Sequence, residues 1–184
     1  MFALLNPYPE IDENWTLFLA RDGVLVEESK LQQNSTSLNP KFLPGVLESI
    51  GALTSAFGTT LVITNESRIE KDVISIPQLN TYHDNLVSQI AFFGGRIDEI
   101  YFCTDPPHSY SSNLIPNPGM AWQAKQDFPT IDFKKSIVLG GTDDDILFGK
   151  LLQMKTVKIG RQSESQSDFR HPSLYDFNLY LNNT

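Results

Sequence analysis

Leu17-Phe18-Leu19-Ala20-Arg21-Asp22-Gly23-Val24-Leu25 decides the fold. Its apolar start reads as a buried strand, and Arg-Asp-Gly marks the turn that must follow. The strand is Trp15 to Ala20. Working outward, Thr59 to Thr64, Glu99 to Cys103, Ser136 to Leu139 and Lys155 to Ile159 share its character, being rich in Val, Ile, Leu, Thr and aromatics. Between them, Val46, Leu47, Ile50, Leu53 and Phe57 fall at helical spacing behind Pro44, which suits a first helical turn. Leu79, Tyr82, Leu86, Ile90 and Phe93 repeat that spacing after Pro77, and Gly94-Gly95 supplies the stop. Gly119 to Phe128 and Asp143 to Leu152 predict two shorter helices. Strands alternating with helices predict an α/β fold around a mainly parallel sheet.

The 184 residues, 40% hydrophobic and 20% charged, suit one domain spanning 1–184. Lys and Arg number 14 against 22 Asp and Glu, and the net charge of −8 disfavours nucleic acid and anionic membrane as partners. No apolar run reaches the roughly 18 residues of a membrane span, and Met1 to Leu5 lacks the basic start and long apolar core of a signal peptide. The expectation is a cytoplasmic protein. One cysteine, Cys103, forms no intramolecular disulfide and supplies no structural zinc site alone. Glu28 to Asn39 and Arg161 to Pro172 read as exposed loops joined to the same core, and there is no internal repeat.

In an open parallel sheet the ligand site lies outside the carboxyl ends of the strands. Those ends are Ala20 to Gly23, Thr64 to Arg68, Cys103 to His108 and Gly140 to Asp145. They resemble the haloacid dehalogenase (HAD) superfamily of phosphatases, and closest its capless branch of heptose bisphosphate and histidinol-phosphate phosphatases. Leu17 to Leu25 is similar to the first motif, D-x-D-G-[TV] after an apolar strand; Leu61-Val62-Ile63-Thr64-Asn65-Glu66-Ser67 is similar to the second, T-N-Q-S. Pro116-Asn117-Pro118-Gly119-Met120 resembles the end of the third, K-P-K-P-G-M, and Val138 to Asp145 the fourth, V-G-D-K-x-x-D. The resemblance covers roughly residues 14 to 160 and implies a three-layer, Rossmann-like HAD fold with helices on both faces and no large cap domain.

The chemistry that the resemblance implies is incomplete. The first Asp of motif one attacks phosphorus in that family, and here Ala20 holds its place with a methyl group that cannot. Asp22 keeps the acid/base position. Magnesium in the family needs that nucleophile and carboxylates of motif four, of which the first falls at Gly141 and the second is kept as Asp145. The motif-three Lys that neutralises the phosphoryl charge aligns with Ile115, and the Arg before it with Leu114. The zinc loop of the branch keeps Cys103 and His108 but has Ser111 and Ser112 near where thiolates belong, too few ligands for the metal.

Thr64 and Asn65 read equally as a strand end or as part of a phosphate cradle. Arg68 reads as an exposed loop residue or as a phosphate-binding charge replacing the lost Lys. Asp143-Asp144-Asp145 reads first as a helix N-terminal turn, where carboxylates suit the dipole, and second as a rebuilt cation site with Asp22. Without Lys or Mg²⁺, Asp22, Glu66 and the Asp triplet leave the pocket negative unless Arg21 or Arg68 turns inward. His83 and His171 have no motif around them, and Met120 and Trp122 read as packing.

Two functions follow. One is a catalytically degenerate relative kept as a binding or regulatory domain for a small molecule or protein. The other is a divergent Mg²⁺-dependent phosphomonoester hydrolase acting on a small phosphorylated sugar or alcohol, with Asp22 directing water. An Ala20 engineered to trap substrate does not account for Ile115 and Gly141.

Overall fold

The computed structural model describes residues 8, 10–27, 38–66, 74–107, 109–161 and 166–182. Its strands are β1 (Thr16–Ala20), β2 (Thr59–Asn65), β3 (Glu99–Cys103), β4 (Ser136–Gly140), β5 (Lys155–Ile159) and β6 (Phe169–His171). The helices are α1 (Val46–Ser55), α2 (Ile76–Phe92), α3 (Gly119–Asp127), α4 (Asp143–Leu151) and α5 (Leu174–Asn182). All neighbouring strands pair in parallel, in the order β3-β2-β1-β4-β5-β6.

β1 is buried along its whole length because it is flanked on both edges and covered on both faces. Such a strand must be apolar throughout, which is why Thr16–Ala20 shows no alternation. Leu17 and Leu19 point into a core shared with Val46, Ile50 and Leu53 of α1, Leu86 and Ile90 of α2, and Phe177 of α5. Phe18 points the other way, into a second core with Met120 and Ala121 of α3 and Phe148 of α4. Helices therefore cover both faces, the expected three layers. Full burial of each such side chain is worth about 1.5–3 kcal/mol, so the sheet centre is the most stable part of the frame.

The chain grows outward from β1 to β2 and β3 on one side, then crosses to β4, β5 and β6 on the other. That reversal opens a crevice at the carboxyl ends of β1 and β4, where neighbouring connections leave in opposite directions.

Two sequence readings are corrected. Arg161 to Pro172 is not all loop: Phe169–His171 forms β6, pairing Val157 with Phe169 on the outer edge of β5. Three residues are too few for a periodic signal. Pro44 lies outside the first turn of α1, which starts at Val46 after Gly45 in a left-handed conformation (φ 80°). Pro77 does sit in the first turn of α2, where Ser75 and Gln78 form a capping box. The helix α5 had no sequence expectation, although Ser173 with Asp176 three residues on is a cap signal, and Ser173 Oγ accepts from the Asp176 amide at 3.1 Å. The stretch Gln32 to Ser37 lies outside the described residues.

Candidate functional site

The crevice is a cleft of about 410 Å³ lined by the ends of β1, β2 and β4, by Ile115 and by the first turn of α4. At the end of β1 the backbone folds into a tight turn: the Leu25 and Val26 amides both donate to the Arg21 carbonyl, at 3.0 and 3.1 Å, and Gly23 donates to Val26 at 2.9 Å. Gly23 takes φ 76°, which a residue with a Cβ rarely adopts. Ala20 and Asp22 thereby both line the cleft, the methyl group beside the carboxylate.

Arg21 turns inward, away from solvent. Its side chain is 0% exposed and gathers residues far apart in sequence. Nε and Nη2 donate to the two carboxylate oxygens of Asp22, at 3.1 and 2.9 Å. Nη1 donates to Glu66 and lies 3.1 Å from His83 Nε2. The guanidinium carbon stands 5.3 Å from the centre of the Tyr82 ring. Burial works against the Arg21 charge, yet the carboxylates of Asp22 and Glu66 outweigh it and hold the group above its ordinary pKa. Arg21 lacks a proton-free state at any working pH, so His83 Nε2 must accept from it. His83 is thus a buried partner of Arg21, a role no local motif could announce.

Glu66 is corrected here. The sequence counted it among the charges of the pocket, but it is fully buried beneath the cleft, and its backbone amide donates to the Cys103 carbonyl. Thr64 lines the cleft from the end of β2. Asn65 uses both ends of its amide on one residue: Oδ1 accepts from the Ile115 amide at 3.0 Å and Nδ2 donates to the Ile115 carbonyl at 3.2 Å. The second and third motif segments are clamped together, with the Ile115 side chain facing the cleft. Arg68 and His108 lie outside the described residues.

On the opposite wall, Thr142 and Asp145 form a capping box for α4. Asp145 Oδ2 accepts from the Gly141 and Thr142 amides, at 3.0 and 2.8 Å, and the Asp145 amide donates back to Thr142 Oγ1 at 3.2 Å. Burial raises the Asp145 pKa, against hydrogen bonds from Thr142 and Gly141 and the charge of Lys158. Asp143 pairs instead with Lys158, Nζ to Oδ1 at 3.0 Å, while Asp144 lines the cleft. Gly141 presses against the first wall: a Cβ there would meet the Asp22 carbonyl oxygen at 3.0 Å and Gly23 at 3.2 Å. The site residues named from sequence do converge, since Ala20, Asp22, Thr64, Asn65, Ile115, Gly141 and Asp145 all line this cleft.

Elsewhere, where the resemblance places a degraded zinc loop, Cys103 Sγ has Asp105 Oδ2 at 3.5 Å and Ser111 Oγ at 3.9 Å, and burial raises the pKa of the thiol. Met120 is buried, whereas Trp122 is half exposed and lies edge-on to Phe133. His171 is buried against Tyr8, whose hydroxyl is 2.8 Å from Nε2. Among the described residues no helix is long and apolar enough to cross a membrane.

No protein-family model matches the chain. It is 31% identical over 144 residues to a D-glycero-alpha-D-manno-heptose-1,7-bisphosphate 7-phosphatase of Burkholderia mallei, covering 74% of this chain and 75% of the relative. It is 26% identical over 147 residues to the histidine biosynthesis bifunctional protein HisB of Buchnera aphidicola, covering 79% of this chain and 41% of the relative. The fold matches a D,D-heptose 1,7-bisphosphate phosphatase from B. bronchiseptica, complexed with magnesium and phosphate, at a TM-score of 0.77 and 23% identity, over 91% of this chain and 97% of that one.

Magnesium demands near-octahedral oxygen coordination. In this cleft Ala20 and Gly141 bring no side-chain oxygen, the Asp22 carboxylate is held by Arg21, and Asp145 Oδ2 is held by two amides. Among the described residues no three His, Cys, Asp or Glu side chains gather as a metal-binding group. The residues present do not fit a resident Mg²⁺.

Proposed function

The chain belongs to the HAD superfamily of phosphatase-like proteins, and we propose that its cleft serves a binding or regulatory domain in which the phosphatase chemistry is lost. The observation that carries the reading is the pair at the end of β1. Ala20 puts a methyl group where the superfamily nucleophile stands, and the neighbouring Asp22 is held at both oxygens by Arg21. A general acid must present an oxygen to the leaving group, and both carboxylate oxygens of Asp22 are engaged by Arg21. At the motif-three Lys position, Ile115 offers no charge to a transferring phosphoryl group. The ligand is a small molecule or a protein surface that reaches the cleft.

One observation favours the alternative hydrolase: the Asp22 side chain is 30% exposed and can meet a water in the cleft. The decisive experiment is phosphate release, with and without Mg²⁺, from histidinol phosphate, heptose bisphosphate and an aryl phosphate, beside Asp22→Ala. No release above that of the variant is expected. Turnover that disappears in Asp22→Ala would establish the hydrolase and overturn the binding role. Ala20→Asp alone is expected to stay inactive, since Ile115 and Gly141 remain.

A further inference from the structure

We propose that the cleft is a metal-independent site for a small ligand without a phosphoryl group, with Arg21 as its resident cation. This rests on the non-catalytic reading above and extends it to the class of ligand. The first ground is the supply of positive charge. Among the described lining residues Arg21 is the only cation, and four of its five N–H donors are already directed to Asp22, Glu66 and the His83 ring nitrogen. Against it stand Asp22, Asp144 and Asp145 on the wall of the cleft. A phosphate dianion entering this space meets carboxylates, and neither a divalent ion nor a free guanidinium to offset them.

The second ground is geometric. Gly141 lies so close to the turn after β1 that its missing Cβ would already touch the Asp22 carbonyl oxygen. A side chain at position 141 could therefore turn an oxygen toward an ion shared with the β1 turn only if the backbone shifted. The remaining lining of Ala20, Ile63 and Ile115 is apolar, with the Thr64 and Thr142 hydroxyls and the Asp22 and Asp144 carboxylates around it. That surface suits a ligand carrying apolar area and hydroxyl or N–H donors.

The test uses the full chain, with Mn²⁺ followed by electron paramagnetic resonance and inorganic phosphate by calorimetry. Neither is expected to bind saturably up to about 1 mM, the weak end of specific affinity. Glu66→Gln removes one of the two carboxylates that occupy Arg21 while keeping its shape. It is expected to raise phosphate affinity at least tenfold, a change that a purely structural role for the pair would not produce. Ala20→Asp is expected to leave Mn²⁺ unbound, since the second wall still brings no side-chain oxygen at Gly141, and saturable Mn²⁺ binding by that variant would overturn the proposal. Saturable Mn²⁺ binding by the wild type that Asp145→Asn weakens tenfold, phosphate binding that Arg68→Ala abolishes, or a Glu66→Gln variant with unchanged phosphate affinity would each overturn the proposal. Metal or phosphate binding without turnover strikes only this inference, whereas turnover strikes the non-catalytic reading beneath it.

Discussion

The two walls of the cleft each bury a carboxylate, and they compensate it in opposite ways. On the β1/β2 wall, Glu66 is neutralised by a full charge, the guanidinium of Arg21, carried from another strand. On the β4/α4 wall, Asp145 is met by the dipoles of two backbone amides within its own turn. An ion pair of this kind ties β1, β2 and α2 into one unit and fails as a unit. The capping box is local, and its loss frays one helix end. Each wall is held by hydrogen bonds of its own.

Arg21→Met should break the first wall most severely. It leaves Glu66 buried without its cation, and breaking a buried pair from one side costs about 3–5 kcal/mol. Urea denaturation reads this directly. Arg21→Met/Glu66→Gln removes the orphaned charge and is expected to recover much of the loss; a double variant no more stable than Arg21→Met would show that Glu66 is not the partner that matters. Asn65→Ala comes next, deleting both bonds to the Ile115 backbone. About 1–3 kcal/mol is expected, since it strands buried backbone groups. On the second wall Thr142→Ala should cost about 1 kcal/mol, the typical value of an N-cap. If it matched Arg21→Met, the two walls would be coupled and the contrast between them false.

The smallest effect lies far from both. Burial lowers the His171 pKa below its ordinary 6.5, so the folded state resists a proton that the unfolded state accepts. Stability from this group is therefore full above pH 6.5 and is lost as pH falls through the folded value. A melting temperature that declines on acidification through this window, and declines less in His171→Gln, would confirm the sign.

Much of this was legible in the sequence where the information is local. The five strands from Trp15 to Ile159 are long enough for their apolar runs to show, and Ala20, Ile115 and Gly141 could be placed because each sits beside a short motif that resembles the superfamily's. β6 escaped because three residues on an edge carry no period. An inward turn of Arg21 was left open by the sequence, but its partners escaped for another reason. Its partners Glu66 and His83 lie on β2's end and on α2, and only the sheet order brings them together. Asn65 likewise reads as a candidate ligand group until the Ile115 segment is seen against it.

The sheet order also bears on how the chain is made. Of the six described strands β1 is made first, and it lies inside the finished sheet while its two neighbours, β2 and β4, arrive at very different times. Once β2 has paired with it, β1 still presents an entirely apolar strand with one open edge while α2, β3 and α3 are synthesised. An open apolar edge is a template for pairing with another chain. Until β4 emerges, the nascent molecule is most exposed to self-association at the very strand that later lies deepest, and a pause in translation before Ser136 would lengthen that interval.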